Sequence, residues 1–192
     1  MSTALAATLP IVDVARELEP SLVGEPCWST LAAALAFAVA DDESSADDES
    51  DDDDDDDDGF AHREHLLACT HANAARVRVL LVAALLLAPT VSLDVVYVAP
   101  TRASASAFLR RVRARLLLEP DRQPAPLITS ACYLELGSAS LAVLVAGGSA
   151  VHRACTAHVV IVDTATLAAQ PALQSALDGM CAVARTKVIV LA

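Results

Sequence analysis

The chain has 192 residues, a formal net charge of −12 and five cysteines. Its length allows one domain with a sizeable core, and an odd number of cysteines without metal-ligand spacing argues against a disulfide or zinc scaffold. We therefore expect a reducing, intracellular location. No basic segment precedes an apolar N-terminal stretch, and the apolar run over 77–89 is too short to cross a bilayer, so neither a secretory signal nor membrane association is expected.

Most of the negative charge lies in one low-complexity run, residues 41–58. This run contains 14 of the 25 acidic residues, which leaves 11 acidic residues against 13 lysines and arginines elsewhere. Its charges repel one another and it has no apolar side chain larger than alanine, so we expect a disordered, solvated linker. The alternative is a binding segment for a basic partner. The run separates an N-terminal helical segment, 1–40, from a domain at 59–192.

The remaining elements follow in chain order. In residues 1–40, Pro10, Pro20 and Pro26 are expected to break the chain into short pieces, with a helix over about 29–40. After the acidic run, helices are predicted at about 73–87, 104–118 and 172–183. Strands are predicted at about 66–69, 94–98, 127–136, 141–145, 159–163 and 187–191, with Gly137 joining the third strand to the fourth.

Alternating strands and helices of this length predict an α/β fold with a mainly parallel sheet and helices on both faces. The sequence stops directly after the last strand, at a point where an α/β domain usually continues into a loop. We therefore expect a truncated product or an exon fragment.

The turn before the helix at 73–87 is the place where a phosphate-binding loop would lie. Such a loop needs glycines, a lysine that reaches the phosphates and a hydroxyl residue for magnesium. This turn has no Gly and no Lys, and Lys187 is the only lysine in the chain. A helix N-terminus near Asn73, with Arg76 or Arg78 as the cation, remains a candidate for weak anion binding; the alternative is a helix that only packs on the sheet.

The apolar strand at 159–163 ends in Asp163, which is followed by Thr164. A carboxylate at the end of a buried parallel strand can hold magnesium, whereas a threonine cannot polarise the attacking water as a second acid would. Asp163 is therefore a candidate metal ligand without a catalytic partner. The alternative is that it caps the segment that follows.

In order and spacing, these segments resemble the ATPase domain of the large terminase subunit, the DNA-packaging motor of herpesviruses and tailed phages. Residues 82–99 are similar to that family's helix after the phosphate loop and its Tyr-Val-Ala strand. Residues 153–163 resemble the approach to its Asp-Glu strand, and residues 172–191 resemble its next helix and coupling-motif strand. The resemblance covers about residues 65–192 and implies a RecA-like three-layer sandwich of the P-loop NTPase type.

A superfamily 2 helicase is the nearest rival, because Pro100-Thr101-Arg102 is similar to its Pro-Thr-Arg motif. In either family, Thr101 and Arg102 would lie where a strand's carboxyl end meets the nucleic-acid backbone. The alternative is that Thr101 caps the next helix and Arg102 is solvated. The arginines of that helix spread over more than half its circumference and are interpreted mainly as a solvated face; they are Arg110, Arg111, Arg113 and Arg115.

The resemblance implies ATP and magnesium as cofactors of the family, although the lysine and the catalytic glutamate are missing here. The leading hypothesis is a catalytically impaired terminase-like domain with a structural or regulatory role in viral DNA packaging in the host nucleus. Its partners would be other terminase subunits, the portal and double-stranded DNA. The alternatives are an active ATPase or helicase-like motor fragment, a non-catalytic interaction module that uses the acidic run, and a decayed fragment.

Overall fold

The computed structural model describes residues 3–40, 64–67, 71–88, 92–123, 126–146, 157–175, 177 and 186–191. Several predictions fall outside these ranges. They are the disordered linker at 41–58, the first residues of the phosphate-loop-like turn, the segment 153–156 and the end of the helix predicted at 172–183.

Five helices can be bounded in the described part of the chain: α1 (Thr3–Leu18), α2 (Cys27–Val39), α3 (His71–Leu87), α4 (Arg102–Leu117) and α5 (Thr164–Ala169). Residues 171–175 and 177 are also helical. Short 3-10 turns, Pro20–Leu22 and Pro120–Arg122, follow α1 and α4.

Seven strands form one sheet: β1 (Glu64–Leu67), β2 (Asp94–Ala99), β3 (Ile128–Thr129), β4 (Tyr133–Leu136), β5 (Ala139–Val145), β6 (Val159–Asp163) and β7 (Lys187–Leu191). Their order is β1-β7-β6-β2-β5-β4-β3. The first five strands in this order run parallel, and β4 and β3 extend the sheet as antiparallel strands. The prediction of an α/β fold with a mainly parallel sheet flanked by helices is confirmed.

The two faces of the sheet bury two different apolar clusters. Because side chains alternate along a strand, Val159 and Ile161 of β6 pack under α1, α2, α3 and α4. Val160 and Val162 lie on the other face and pack under α5, Leu173 and Leu177. The helices at 3–40 therefore share a core with α3 and the sheet. Asp163 is two residues after Ile161, so its side chain lies on the same face of the sheet, which is the face that α3 covers.

Two local predictions are wrong. Pro10 does not break the first segment, because α1 continues from Thr3 to Leu18. A buried stripe formed by Ile11, Ala15 and Leu18 packs into the core and offsets the roughly 3 kcal/mol that an interior proline costs. The strand predicted over 127–136 is instead two short strands, β3 and β4, that pair as a hairpin; the Ser130 amide donates to the Tyr133 carbonyl at 2.8 Å.

Gly137 joins β4 to β5, as predicted. Its φ of 64° lies in the left-handed region, which a glycine adopts without steric strain. This turn aligns Leu136 with Ala139 and fixes the antiparallel register of the two strands.

Candidate functional site at the carboxyl edge of the sheet

The candidate site lies where the parallel strands β7, β6 and β2 end. All five residues of β6 are buried, and its last residue, Asp163, pairs with Leu191 of β7. Parallel strands bring their carboxyl ends to one edge, which is where open α/β sheets place ligands and catalytic groups. The Asp163 side chain is only 9% exposed there.

Both carboxylate oxygens of Asp163 contact side chains of neighbouring elements. Arg78 of α3 approaches with two nitrogens: Nη2 lies 2.9 Å from Oδ1, and Nη1 donates to Oδ2 at 3.2 Å. The Tyr97 hydroxyl of β2 donates to Oδ2 at 2.9 Å. Side chains of α3 and β2 therefore both contact the carboxylate at the end of β6.

The strand register explains why Tyr97 reaches Asp163. Tyr97 pairs with Ile161, so its side chain lies on the same face as Ile161 and Asp163. The tyrosine ring is held from the other side by Phe108 of α4, with 4.1 Å between the ring centroids. Packing between β2 and α4 therefore orients the hydroxyl that binds the carboxylate.

Burial dominates the electrostatics of this cluster. It raises the pKa of Asp163, while the positive charge of Arg78 and the hydrogen bond from Tyr97 act in the opposite direction. Burial also raises the pKa of Tyr97 above its usual range, and the adjacent Asp163 charge raises it further. Tyr97 therefore remains a phenol, and its hydroxyl donates a hydrogen bond to the carboxylate.

This donor set does not fit a magnesium ion. Magnesium is bound by carboxylate oxygens together with several water molecules, whereas Arg78 and Tyr97 both donate to Oδ2 of Asp163. Oδ1 accepts no hydrogen bond in the described part of the chain, but it faces the Arg78 guanidinium at 2.9 Å, and this positive charge would repel a metal ion. The next residue offers no second acid, and the Thr164 hydroxyl donates to the Leu191 carbonyl at 2.9 Å. Within the described ranges, no group of three or more metal-ligating side chains occurs. The chemistry of the site is that of a buried ion pair.

Arg76, predicted as a phosphate ligand near Asn73, faces away from this cluster. Its guanidinium pairs with Glu19 at 2.8 Å and donates to the Ser21 hydroxyl at 2.7 Å, both in the segment that follows α1. Two residues on a helix are about 200° apart, so Arg76 and Arg78 cannot serve the same site. Asn73 is half-buried in the first turn of α3. The structure thus brings Arg78, not Arg76, to Asp163.

Lys187, the only lysine of the chain, lies at the amino ends of the parallel strands, whereas Asp163 lies at their carboxyl ends. It is the first residue of β7, and its Nζ donates to the Ala40 carbonyl and lies 5.6 Å from the centre of the Phe37 ring. Since β7 runs parallel to β6, about 13 Å of strand separates this amino edge from the Asp163 edge. Lys187 is therefore held away from the candidate site.

Thr101 and Arg102 begin α4 directly after β2. Thr101 is the N-cap: the Ser104 amide donates to its hydroxyl at 3.1 Å, and the Thr101 amide donates to the Ser104 hydroxyl at 3.1 Å. This reciprocal capping box satisfies two amides of the first turn. Arg102 is exposed and makes no hydrogen bond or ion pair within the described part of the chain. The geometry gives Thr101 a capping role and leaves Arg102 available for contacts.

Sequence reasoning missed the role of Tyr97. A tyrosine inside a valine-rich strand signals a buried hydroxyl that needs a partner. The partner follows only from the register between β2 and β6, which the sequence does not reveal. Arg78 was a candidate cation, but the carboxylate that it pairs with also depends on how α3 packs across the sheet.

Comparisons with known proteins add no family assignment. A scan against protein-family models gives no match to this chain, and a search of curated proteins gives none either. Among the described helices, none has both the length and the apolar character needed to cross a membrane.

Proposed function

We propose that this chain is a terminase-like ATPase domain without catalytic activity, which acts as a structural or regulatory component of a viral DNA-packaging machine. The proposal includes a RecA-like three-layer arrangement of the P-loop NTPase type. It is supported by a parallel sheet on which β1 precedes α3, as a phosphate-loop strand precedes its helix, and on which β6 ends in an acid at the same edge.

The observation that carries the proposal is the Arg78–Asp163 ion pair. In a magnesium-dependent ATPase, the strand-end carboxylate holds the metal that neutralises the phosphates. Here a guanidinium from α3 lies 2.9 Å from the carboxylate and compensates the same negative charge without a metal. The negative charge of Asp163 is thus balanced within the chain, and we expect this carboxylate not to hold magnesium for a nucleotide.

Isothermal titration calorimetry with magnesium and ATP tests this proposal. We expect no binding heat at millimolar nucleotide with the wild-type chain or with the Asp163→Ala and Arg76→Ala variants. Micromolar binding that is lost in Asp163→Ala would contradict the proposal. It would favour the alternative of an active ATPase or helicase-like motor fragment, which needs a lysine donated by another chain or an arginine that replaces it.

An interaction module is the second candidate, and the observation that favours it is the position of the acidic run. Ala40, just before the run, accepts a hydrogen bond from Lys187, and Glu64 pairs with Val188, the next residue of β7. The described residues on either side of the run, Ala40 and Glu64, therefore both lie at the amino edge of the sheet, opposite Asp163. Capture of a basic partner that is lost when 41–58 is deleted would support this function, and unchanged capture would exclude that role for the run.

A further inference from the structure

A cavity of about 480 Å³ lies between α3, α4 and the residue that follows α1. We call it the α3–α4 cavity. Val79 and Leu80 line it from α3, and Leu118 lines it at the end of α4. Its volume is within the range of about 300–1,000 Å³ that is usual for small-molecule sites. Among the described residues that line it, none belongs to the cluster around Asp163, so the two sites are separate.

The apolar part of the lining is open to solvent in the described part of the chain. Ala75 of α3 and Ala114 of α4 are exposed, and their short side chains leave room between the two helices. Leu118 is 70% exposed. A ligand with an apolar body would remove this surface from water, which is the main driving force for association.

The lining carries an excess of positive charge. Its ionisable residues are three arginines and one carboxylate: Arg76, Arg111, Arg115 and Glu19. Arg76 pairs with Glu19 at 2.8 Å, and Arg115 pairs with Glu119 at 3.3 Å. Arg111 is exposed and makes no hydrogen bond or ion pair with any described residue. The cavity therefore has one uncompensated positive charge at its wall.

Arg111 and Arg115 are four residues apart, so they lie one turn apart on the same face of α4. Arg115 is fixed in its position, because its guanidinium also donates to the Leu18 carbonyl. Like charges at this spacing repel each other. An anion beside Arg111 would relieve the repulsion and accept a charge-assisted hydrogen bond. Arg111 is therefore the anion ligand that we expect in this cavity.

We propose that the α3–α4 cavity binds a medium-chain fatty acid. The single free charge of Arg111 matches one carboxylate, and the aliphatic chain would extend along Val79 and Leu80 toward Leu118. Arg111 and Leu118 are separated by about 10 Å of helix axis, enough for a chain of this class. No aromatic side chain lines the cavity within the described ranges, so the walls favour an aliphatic chain over a stacked ring.

Isothermal titration calorimetry of the full chain with sodium decanoate tests the proposal. Arg111→Gln is the test variant. Arg113→Gln is the matched control, because Arg113 is another exposed arginine of α4 without an ion pair among the described residues, and it does not line the cavity. Sodium octanoate tests the contribution of chain length, and octanol, which has the same chain length as octanoate but no charge, tests the carboxylate.

We expect decanoate to bind the wild-type chain with a Kd below about 1 mM. Octanoate should bind about tenfold more weakly, because each buried methylene contributes about a factor of four. Octanol should bind more weakly than octanoate. Arg111→Gln should weaken decanoate binding about tenfold, as expected for the loss of one hydrogen bond to a charged group. Arg113→Gln should change it by less than about twofold.

A second pair of variants tests the location of the site. Ala114→Leu places a larger side chain in the cavity and should weaken decanoate binding about tenfold. Ala103→Leu makes the same change at an exposed position of α4 outside the cavity and should leave binding unchanged. Because these positions are exposed, the thermal unfolding temperatures of all four variants should lie close to that of the wild type.

No detectable binding of decanoate at about 1 mM, or equal weakening by Arg111→Gln and Arg113→Gln, would overturn the proposal. Octanol that binds as tightly as octanoate would overturn the assignment to a carboxylate. Binding that is insensitive to Ala114→Leu would place the fatty acid outside the cavity and would also overturn the proposal. Absence of decanoate binding would leave the inactive-ATPase proposal standing, and ATP turnover would contradict that proposal without affecting this cavity.

Discussion

The Asp163 carboxylate is the most constrained charge in the described part of the chain. Its side chain is 9% exposed, and Arg78 is the cation that compensates it. Removing one partner of a buried ion pair leaves an uncompensated charge, whereas replacing both partners can be neutral. This asymmetry makes the pair testable by mutation.

The Arg78→Leu variant should lower the free energy of unfolding by about 2–4 kcal/mol, because it leaves the Asp163 carboxylate without a cation in a buried position. Asp163→Asn in the same chain should recover much of this loss, since the amide oxygen can still accept from Tyr97. Urea denaturation of the two single variants and the double variant measures the coupling. A double variant whose loss equals the sum of the single losses would show that the two side chains do not interact.

Glu19 provides a pH-dependent link between the end of α1 and α3. Its hydrogen bond from Ser21, together with the charge of Arg76, lowers its pKa below the usual value. A lowered folded-state pKa contributes stability above the unfolded-state pKa of about 4.3, and this stability is lost as the pH falls through the folded-state pKa. The contribution is therefore present at neutral pH and absent in strong acid.

Glu19→Gln should cost about 0.5 kcal/mol at pH 7, a small value because Arg76 and Glu19 are partly exposed. The difference from the wild type should disappear in strong acid, once the pH lies below the lowered folded-state pKa of Glu19. Denaturation curves at both pH values measure it, with Glu25→Gln as a control at an exposed carboxylate that has no ion pair within the described residues. A difference that stays the same at both pH values would show that the effect is not electrostatic.

At the level of the elements, α4 depends on its first turn. Thr101 and Ser104 satisfy each other's amides, and the N-cap lies directly after β2. Thr101→Ala should therefore destabilise the protein by about 1 kcal/mol, while Thr101→Ser should remain near the wild type. Urea denaturation tests this. DNA affinity that falls tenfold in Thr101→Ala without any loss of stability would instead assign Thr101 to a phosphate contact.

Most helices and strands could be predicted from local pattern. The strand at 187–191 and the body of α3 follow from continuous apolar runs bounded by polar residues. The prediction failed where tertiary contacts decide the outcome. Pro10 is tolerated because the stripe that follows it is buried, and the break between β3 and β4 follows from their pairing with each other.

Only part of the candidate site could be predicted from the sequence, because its other part depends on tertiary packing. A strand that ends in Asp163 can be recognised in the sequence, because the apolar run stops there. Which cation meets it depends on the rotation of α3, which turns Arg78 toward the sheet and Arg76 toward Glu19. Helix rotation is set by packing against the core and has no local signature in a helix that is apolar on all sides from Val79 to Leu87.

At the level of the whole molecule, the described residues on either side of the acidic run lie close together. Ala40 accepts a hydrogen bond from Lys187, and Glu64 pairs with Val188, the next residue of β7, so both lie at the amino edge of the sheet. Exposed arginines of α4 lie at the other end of the strand order, where Arg110 and Arg113 line a cavity together with residues of β3 and β4.

Deletion of residues 41–58 should preserve the fold, because the two points that the segment joins lie beside adjacent residues of β7. The deletion changes the formal net charge from −12 to +2. The connection between Ala40 and Glu64 is thereby shortened from 23 to 5 residues. A shorter loop loses less entropy when its ends are brought together, so the free energy of unfolding should rise by about 1 kcal/mol.

Urea denaturation of the wild-type and deleted chains at about 50 and about 200 mM salt measures this change. A gain that comes from loop closure should be the same at both salt concentrations, whereas a gain that comes from relief of charge repulsion should shrink as salt screens the charges. A deleted chain that is less stable than the wild type at both salt concentrations would contradict the prediction and would show that the run contributes contacts to the fold.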